Sequence, residues 1–477
     1  MNEKVYKEAE GMNDMTENEM EFRVEKDSIG TKDVPENVYY GVQSLRAAEN
    51  FHITGLNMHP EIINSLAYIK KAAAITNCEA GLLDKRRTQA IVQACDEILE
   101  GKFREDFIVD PIQGGAGTSL NMNANEVIAN RAIEILGGKK GDYSVVNPND
   151  HVNCGQSTND VIPTAGKMTS LRLLKKLKKQ LLRLHSALEQ KADEFDSVIK
   201  MGRTQLQDAV PIRFSQEISG WRNMLEKTKK MLEASLPGLK ELALGGTAVG
   251  TGLNAPKNFG PEVAKVISEL TGKEFVTAEN KFHALTAKDD ITFAHGALKA
   301  LAADLMKIAN DVRWLASGPR CGLGEISIPE NEPGSSIMPG KVNPTQCEAM
   351  TMVAVQVMGN DAAIGFAASQ GNFELNVFMP VIAYNFLQSV RLLSDVMISF
   401  NDHCAVGIKA NREKMKHNLH NSLMLVTALN PYIGYDNAAK TSKKAYKENI
   451  SLKEACVQLG FLTAEKFDEV FHPEEMA

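Results

Sequence analysis

Four short polar segments carry the side chains that could do chemistry in this chain. They are GGAGTSLNMN at 114–123, GQSTND at 155–160, GRTQLQD at 202–208 and PGSSIMPGKVNP at 333–344. Hydroxyl, amide and ammonium groups can hold two carboxylates, and these segments supply Thr118, Ser157, Thr158, Asn159, Thr204, Lys341 and Asn343. Any single segment is better explained as an ordinary capped loop between helices. Together they indicate a site for a small dicarboxylate.

Removal of a proton beside a carboxylate is the reaction that such a site suits. The base must lie close to the substrate, and the doubly charged aci-carboxylate that forms needs hydroxyl or backbone N–H donors. Ser335, six residues before Lys341, is one candidate base. His151 is the rival, although a lone histidine beside Asn and Asp is more often a structural residue. The residues alone leave the choice of base open.

No motif in the sequence indicates a metal or a nucleotide. It has no HExxH, no paired Cys and His and no DxD cluster, and the glycines at 114–117 are not followed by the lysine that phosphate binding needs. A fifth Gly-rich segment, GGTAVGTGLN at 245–254, is slightly better explained as the end of one helix and the start of the next. We therefore predict no metal ligands and no nucleotide cofactor.

Composition and charge limit the partners and the compartment. With 53 Lys and Arg against 60 Asp and Glu, the formal charge of -7 offers no basic surface for nucleic acid. The seven cysteines include no CxxC pair, and no apolar run reaches the roughly 18 residues of a membrane span. We therefore expect a cytoplasmic protein without a nucleic-acid or membrane partner. Residues 1–22 contain few large apolar groups, which predicts a flexible extension.

The elements that must position these segments are long helices. Between Ile63 and Leu99 apolar residues recur every three or four positions, with Gly81 as an interruption and Asp84 placed to cap a second helix. A stripe of apolar residues from Met168 to Leu188 predicts one long helix with a single buried face. Similar runs cover 215–244, 295–315, 345–368 and 378–398, and the helices shorten after Lys409. The pattern predicts a mainly α fold built on a long-helix bundle.

The segment PGSSIMPGKVNP resembles the signature of a lyase superfamily that includes aspartase, class II fumarase, argininosuccinate lyase and adenylosuccinate lyase. The resemblance runs from about Phe22 to Met476. It implies three mostly helical domains, at 23–146, 147–408 and 409–477, and a homotetramer with a twenty-helix core. It also implies active sites that each draw loops from three subunits, and a reaction without a cofactor. Activation by a divalent cation occurs in some aspartases, but the sequence identifies no ligands for one.

Residue by residue, the resemblance assigns roles in the reaction. Ser335 resembles the base that takes the C3 proton, and Ser336 resembles a residue that stabilises the aci-carboxylate. Lys341 and Asn343 resemble the binders of the carboxylate that is not enolised. Thr118, Ser157 and Thr158 resemble the family residues that hold the second carboxylate. Asn159 and Thr204 resemble those near the leaving group.

Two reactions share these residues, namely loss of ammonia from L-aspartate and loss of water from L-malate. Before about residue 212 the chain resembles aspartase (YYGVQSLRAAENF, GGAGTS, QSTND, GRTQLQD), whereas later segments such as SGPRCGLGEISIPENEP and GNFELNVF resemble fumarase. Gln205 stands where fumarases carry a histidine that activates water through a glutamate, here Glu348, and an amide cannot accept that proton.

The substrate-contacting differences Ala116, Thr158 and Gln205 all lie in the aspartase-like part. We therefore predict an aspartate ammonia-lyase, a carbon–nitrogen lyase that forms fumarate through a serine base and an aci-carboxylate. Fumarate hydratase is the alternative. A structural member of the superfamily without activity, as in lens crystallins, is disfavoured by the intact Ser335 and Lys341.

Overall fold

The computed structural model describes residues 21–477 and is mainly helical, as the sequence predicts. Residues 1–20 of the predicted flexible extension lie outside the described residues. The α-helices are α1 (Val42–Asn50), α2 (Pro60–Glu79), α3 (Lys85–Leu99), α4 (Thr118–Ile135), α5 (Thr158–Glu194), α6 (Phe214–Leu239), α7 (Phe259–Thr271), α8 (Lys281–Thr286), α9 (Asp289–Leu315), α10 (Thr345–Ala368), α11 (Met379–His403), α12 (Arg412–Asn421), α13 (Asn430–Ile433), α14 (Tyr435–Glu448), α15 (Leu452–Gln458) and α16 (Ala464–Val470).

The strands pair two by two. The antiparallel pairs are β1 (Phe22–Lys26) with β2 (Thr31–Pro35), β3 (Ile199–Thr204) with β4 (Gln207–Arg213), and β7 (Ile326–Ser327) with β8 (Lys409–Ala410). Strands β5 (Glu241–Leu242) and β6 (Val276–Thr277) pair in parallel. Over residues 21–477 no sheet exceeds two strands, so the helices must supply the core.

The chain divides into two compact units, each assembled from three stretches. The first comprises the described residues up to Leu174, together with Ala234–His295 and Asn360–Gln388. The second comprises Lys175–Glu233, Gly296–Gly359 and Ser389–Ala477. The predicted domain boundaries at residues 22, 146 and 408 remain a prediction.

Helices α2, α3, α4 and α7 build the core of the first unit. Ile69 of α2, Ile91 of α3 and Val127 of α4 are fully buried there. Helix α2 ends before Gly81, and the Asp84 side chain caps α3 by accepting a hydrogen bond from the backbone N–H of Arg87 at 3.0 Å. The apolar periodicity and the cap therefore predicted both helices.

The long helices follow the predicted stripes, with shifts at their ends. The predicted stripe of α5 is buried, as its 3,3,3,4,3,4 spacing requires, at Met168, Leu171, Leu174, Leu177, Leu181, Leu184 and Leu188. Helix α10 has the predicted bounds, 345–368, whereas α6 ends at Leu239 because the chain then enters β5. After Lys409 the short helices α12 to α16 pack around a separate cluster that includes Leu425, Ala455 and Phe467.

One helical stretch among residues 21–477, Met379–Gly407, is long and apolar enough to cross a membrane by length and composition alone. Half of its most apolar window is buried inside the protein, and the buried polar residue Asn401 lies within the stretch. Core helices of water-soluble proteins meet the same criterion, so this stretch alone does not indicate a membrane span.

Candidate active site

A cleft of about 620 Å³ in the first unit contains three of the predicted binding residues. Thr118, Ser157 and Thr158 line it together, although the first lies far from the other two in sequence. The polar side chains that also line the cleft include Gln43, Asn121, Asn153, Gln156, Thr247 and Asn254. The structure thus brings the second and first polar segments into one polar site.

Two helices begin at this cleft. Thr118 is the first residue of α4 and follows Gly117, whose φ of 79° lies in the left-handed region that glycine adopts readily. Thr158 is the first residue of α5, and Ser157 precedes it. The exposed N–H groups and the positive dipole ends of two helices suit a carboxylate.

Asn121 is a cleft residue that the sequence reasoning missed. Its Nδ2 donates to Thr158 Oγ1 at 3.0 Å and to Asn153 Oδ1 at 3.2 Å, which fixes both acceptors. A usable signal was present, because Asn121 lies three positions after Thr118 and therefore on the same face of α4.

A buried cation lies beneath the same loop. Lys70 of α2 is fully buried, and its Nζ donates to Asn153 Oδ1 at 2.8 Å and to Gln156 Oε1 at 2.9 Å. Burial lowers the pKa of Lys70 to about 7. The apolar pattern of α2 gave no sign of this lysine's position.

Two further residues near the cleft are engaged with the protein itself. The Nδ2 of Asn159 donates to the carbonyl oxygen of Ala248 at 2.8 Å, so this amide orients a loop. His151 Nδ1 accepts from the backbone N–H of Asn147 at 2.8 Å, and burial lowers the pKa of His151. These contacts give His151 a structural role and weaken its case as the base.

The Ser335 loop belongs to the second unit and closes on itself. The Gly334 N–H donates to the Lys341 carbonyl at 2.7 Å, and the Asn343 Nδ2 donates to the Gly334 carbonyl at 2.8 Å. Lys341 Nζ donates to Asn343 Oδ1 at 2.6 Å. These contacts bring Lys341 and Asn343 together at the base of the loop. Glu348 follows in the first turn of α10.

Ser335 receives hydrogen bonds from its own loop. Its Oγ accepts from the backbone N–H groups of Ile337 at 3.2 Å and Met338 at 3.0 Å. Donors of this kind stabilise negative charge on the oxygen, which is what a serine base requires. Ser336 and Ile337 are exposed, with Ile337 at 83%. Ser335 itself is half-buried, so the loop exposes Ser336 and Ile337 more than the proposed base.

Thr204 and Gln205 form a third group, at the tip of the β3–β4 hairpin. Thr204 pairs with Gln207, and the turn residues Gln205 and Leu206 have φ values of 55° and 62°. Successive left-handed residues make the two-residue turn that matches strand twist. Both predicted residues are exposed at this tip.

No group of three or more His, Cys, Asp or Glu side chains that could hold a metal ion occurs within residues 21–477. Divalent-cation activation, which occurs in some aspartases, therefore has no ligands assigned to it among these residues.

Comparison with known proteins identifies the family. Residues 30–359 match the family described as Lyase, and residues 425–477 match Fumarase C C-terminus. The class II fumarate hydratase of Campylobacter jejuni is 59% identical over 458 residues, which cover 96% of this chain and 99% of the relative. That of Bacillus subtilis is 56% identical with the same coverage. The crystal structure of class II fumarase from Schistosoma mansoni has a TM-score of 0.94 at 43% identity, covering 96% of this chain and 99% of that one.

The predictions of aspartate ammonia-lyase activity and of a carbon–nitrogen lyase were wrong. Relatives at 55–59% identity over the full chain are class II fumarate hydratases, which favours a carbon–oxygen lyase. The prediction gave too much weight to Ala116, Thr158 and Gln205. Thr158 supplies a hydroxyl and Ala116 has no polar group, so neither side chain favours ammonia over water as the leaving group.

The matching families, the full-length relatives and the polar cleft agree with the signature at 333–344: the chain belongs to the aspartase/fumarase superfamily of lyases.

Proposed function

We propose that this protein catalyses the reversible addition of water to fumarate to give L-malate. The observation that carries the proposal is the similarity, at 55–59% identity over nearly the whole chain, to class II fumarate hydratases. The Ser335 loop and the polar cleft supply groups that suit this chemistry.

In the elimination direction, Ser335 Oγ removes the C3 proton of malate. The electron pair enters the neighbouring carboxylate and forms the aci-carboxylate, for which Ser336 and loop N–H groups are the proposed donors. The C2–O bond then breaks, and the leaving oxygen takes a proton to depart as water. Gln205 can orient that oxygen but cannot transfer a proton. We assign the proton transfer to Glu348.

The two carboxylates of the substrate are assigned to different groups. Lys341 and Asn343, which are already hydrogen-bonded to each other, are the proposed ligands of the carboxylate that is not enolised. Thr118, Ser157 and Thr158 are the proposed ligands of the other, because they line one cleft at two helix N-termini. Asn159 and Thr204 complete the proposed set near the leaving group.

A homotetramer is the assembly we propose, with each site built from three subunits. Its support is an apolar face of α10 that is exposed in the single chain, with Met352 at 70% and Phe366 at 75%. Ala349, Val355 and Ala362 are exposed on the same face. A helix that is apolar all round is normally buried, and an exposed apolar stripe of this kind marks a protein interface. Loops from several copies would then meet in one site.

The remaining parts of the proposal follow from the chemistry and the charge. Acid/base elimination beside a carboxylate needs no redox cofactor. A cytoplasmic enzyme without nucleic-acid or membrane partners agrees with the formal charge of -7. A chelator added to the assay tests whether a divalent cation activates the enzyme.

The decisive experiment follows fumarate by ultraviolet absorbance with the purified protein, using L-malate in one reaction and L-aspartate in another. We expect turnover of malate, and loss of at least about 1000-fold in kcat for Ser335→Ala because the base is removed. Ser144→Ala, in an exposed turn of the first unit, is the control and should keep full activity.

Two results would overturn the proposal. Turnover of aspartate without malate would assign a different leaving group. Turnover of neither substrate, with an intact tetramer by light scattering, would indicate a structural protein.

A further inference from the structure

The Gly-rich segment 245–254 forms part of the cleft wall. Thr247, Ala248, Leu253 and Asn254 line the same space as Thr118. The sequence favoured a simple connection between helices for this segment, and none of its residues has a role in the proposed reaction. Its position at the cleft depends on contacts with the residues around α5.

Thr247 is held in an unfavourable backbone conformation. Its φ is 53°, in the left-handed region, where a β-branched residue is an outlier. The side chain is 3% exposed, and its Oγ1 has no hydrogen-bond partner among residues 21–477. Such a conformation persists only where surrounding contacts enforce it, and it is commonest at functional sites.

The carboxylate of Asp160 supplies that enforcement. Its Oδ2 accepts from the backbone N–H groups of Gly245 at 2.9 Å and Thr247 at 2.8 Å. Its Oδ1 accepts from the N–H of Ser157 at 3.0 Å. One fully buried side chain therefore joins the loop before α5 to the segment 245–254.

A neighbouring contact reinforces the same junction. Asn159 Nδ2 donates to the Ala248 carbonyl, so two successive residues of α5 hold the segment by three hydrogen bonds in all. Because Ser157, Thr158, Thr247 and Ala248 all line the cleft, these bonds fix how the two loops lie relative to each other.

We propose that Asp160 is a positioning residue of the dicarboxylate cleft, which fixes the spacing between Ser157–Thr158 and Thr247–Ala248. This rests on the proposed function for the nature of the ligand. Asp160 acts through the loops that it holds, without touching the substrate.

The charges around Asp160 make this role dependent on pH. Burial raises the pKa of Asp160 to about 6, while its three N–H donors and the positive charge of Lys70 oppose that rise. Lys281 of α8 is the other cation that faces it. Protonation below about pH 6 turns one Asp160 oxygen into a hydroxyl and weakens the side chain as an acceptor for its N–H donors. The cleft should therefore bind dicarboxylates less tightly below that pH.

Asp160→Asn tests the proposal, because it keeps the shape but places an amide N–H against backbone donors. We expect the KM for fumarate to rise at least about 10-fold with kcat changed less than about threefold, since Ser335 lies on a separate loop. Calorimetry with succinate should show an equal rise in Kd at pH 7.5. The matched control is Asp106→Asn, another buried carboxylate, which accepts from the Tyr39 N–H at 2.7 Å and is not among the residues lining the cleft.

Two further measurements cover the case in which Asp160→Asn folds poorly. Thr247→Gly keeps the backbone N–H group that donates to Asp160 and relieves the left-handed strain, so we expect an unchanged or higher Tm with KM changed less than about threefold. In the wild type, kcat/KM for fumarate should fall as the pH drops through about 6, and this limb should be missing from Asp160→Asn.

The proposal fails if Asp160→Asn changes KM and Kd no more than Asp106→Asn does, or if kcat/KM of the wild type does not fall as the pH drops through about 6. Either result, with an active wild type, overturns this inference alone. Absence of malate turnover by the wild type would overturn the proposed function instead.

Discussion

Glu325 is the centre of a buried ionic network in the second unit. Its carboxylate is fully buried and receives both Nη atoms of Arg203, at 2.7 and 2.9 Å, and Lys200 Nζ at 3.2 Å. Asn418 Nδ2 donates to it at 3.1 Å. Lys200 is 1% exposed and also contacts Glu217 at 2.9 Å. Two cations and two anions therefore balance in this cluster.

Glu325→Gln leaves Lys200 and Arg203 with only Glu217 as a counter-charge. Removing one partner of a buried pair costs about 3–5 kcal/mol, because the remaining charge cannot be solvated. For domains of 150–250 residues about 1 kcal/mol corresponds to about 2–4 °C, so we expect the Tm to fall by about 6–20 °C. Thermal unfolding followed by circular dichroism at pH 7.5 measures this.

The double variant Lys200→Met/Glu325→Gln is the control, because it restores one cation to one anion. We expect its Tm to exceed that of Glu325→Gln alone. Burial acts to raise the pKa of Glu325, but Arg203 and Lys200 hold it below its usual value. The stability that this depressed pKa contributes is present above about pH 4 and is lost as the pH falls through the folded-state pKa, so the deficit of Glu325→Gln should shrink in acid.

A Tm for Glu325→Gln within about 2 °C of the wild type would refute this reasoning. A double variant that loses the sum of the two single losses would also refute it, since charge balance would then have no effect.

Three other perturbations follow from single contacts. A Cβ at Gly115 would lie 1.8 Å from the Val377 carbonyl oxygen, so Gly115→Ala should lower the unfolding free energy by at least about 2 kcal/mol in denaturant titrations. A Cβ at Gly114 would have no atom within 4 Å, so the control Gly114→Ala should lower it by less than about 1 kcal/mol. Because the pKa of Lys70 is lowered in the folded protein, the unfolded chain binds more protons than the folded chain between about pH 7 and 10. The Tm of the wild type should therefore rise with pH in that window relative to the Tm of Lys70→Met, and equal slopes in the two Tm profiles would contradict this. Gln205→His introduces a proton acceptor at a left-handed position that histidine tolerates, and it should raise kcat for malate at least about 10-fold in the absorbance assay, whereas Gln205→Asn should not.

The sequence by itself determined the long helices and the Ser335 loop. The stripe from Met168 to Leu188 and the Asp84 cap are local patterns, because helical neighbours lie three or four positions apart and a cap needs only the next turn. Ser335 and Lys341 lie in one contiguous segment that folds into one loop, and their roles in the reaction remain predictions.

The tertiary structure alone decided which groups support the cleft. Asp160 bonds to Thr247, and Lys70 to Asn153 and Gln156, across separations of about 85 residues, and no short pattern encodes such pairs. Both charged side chains are buried, which is unusual, because partners that include groups from distant segments compensate each of them. The choice between water and ammonia was misjudged from a few loop residues, because hydroxyl, amide and ammonium groups that can hold two carboxylates suit both reactions.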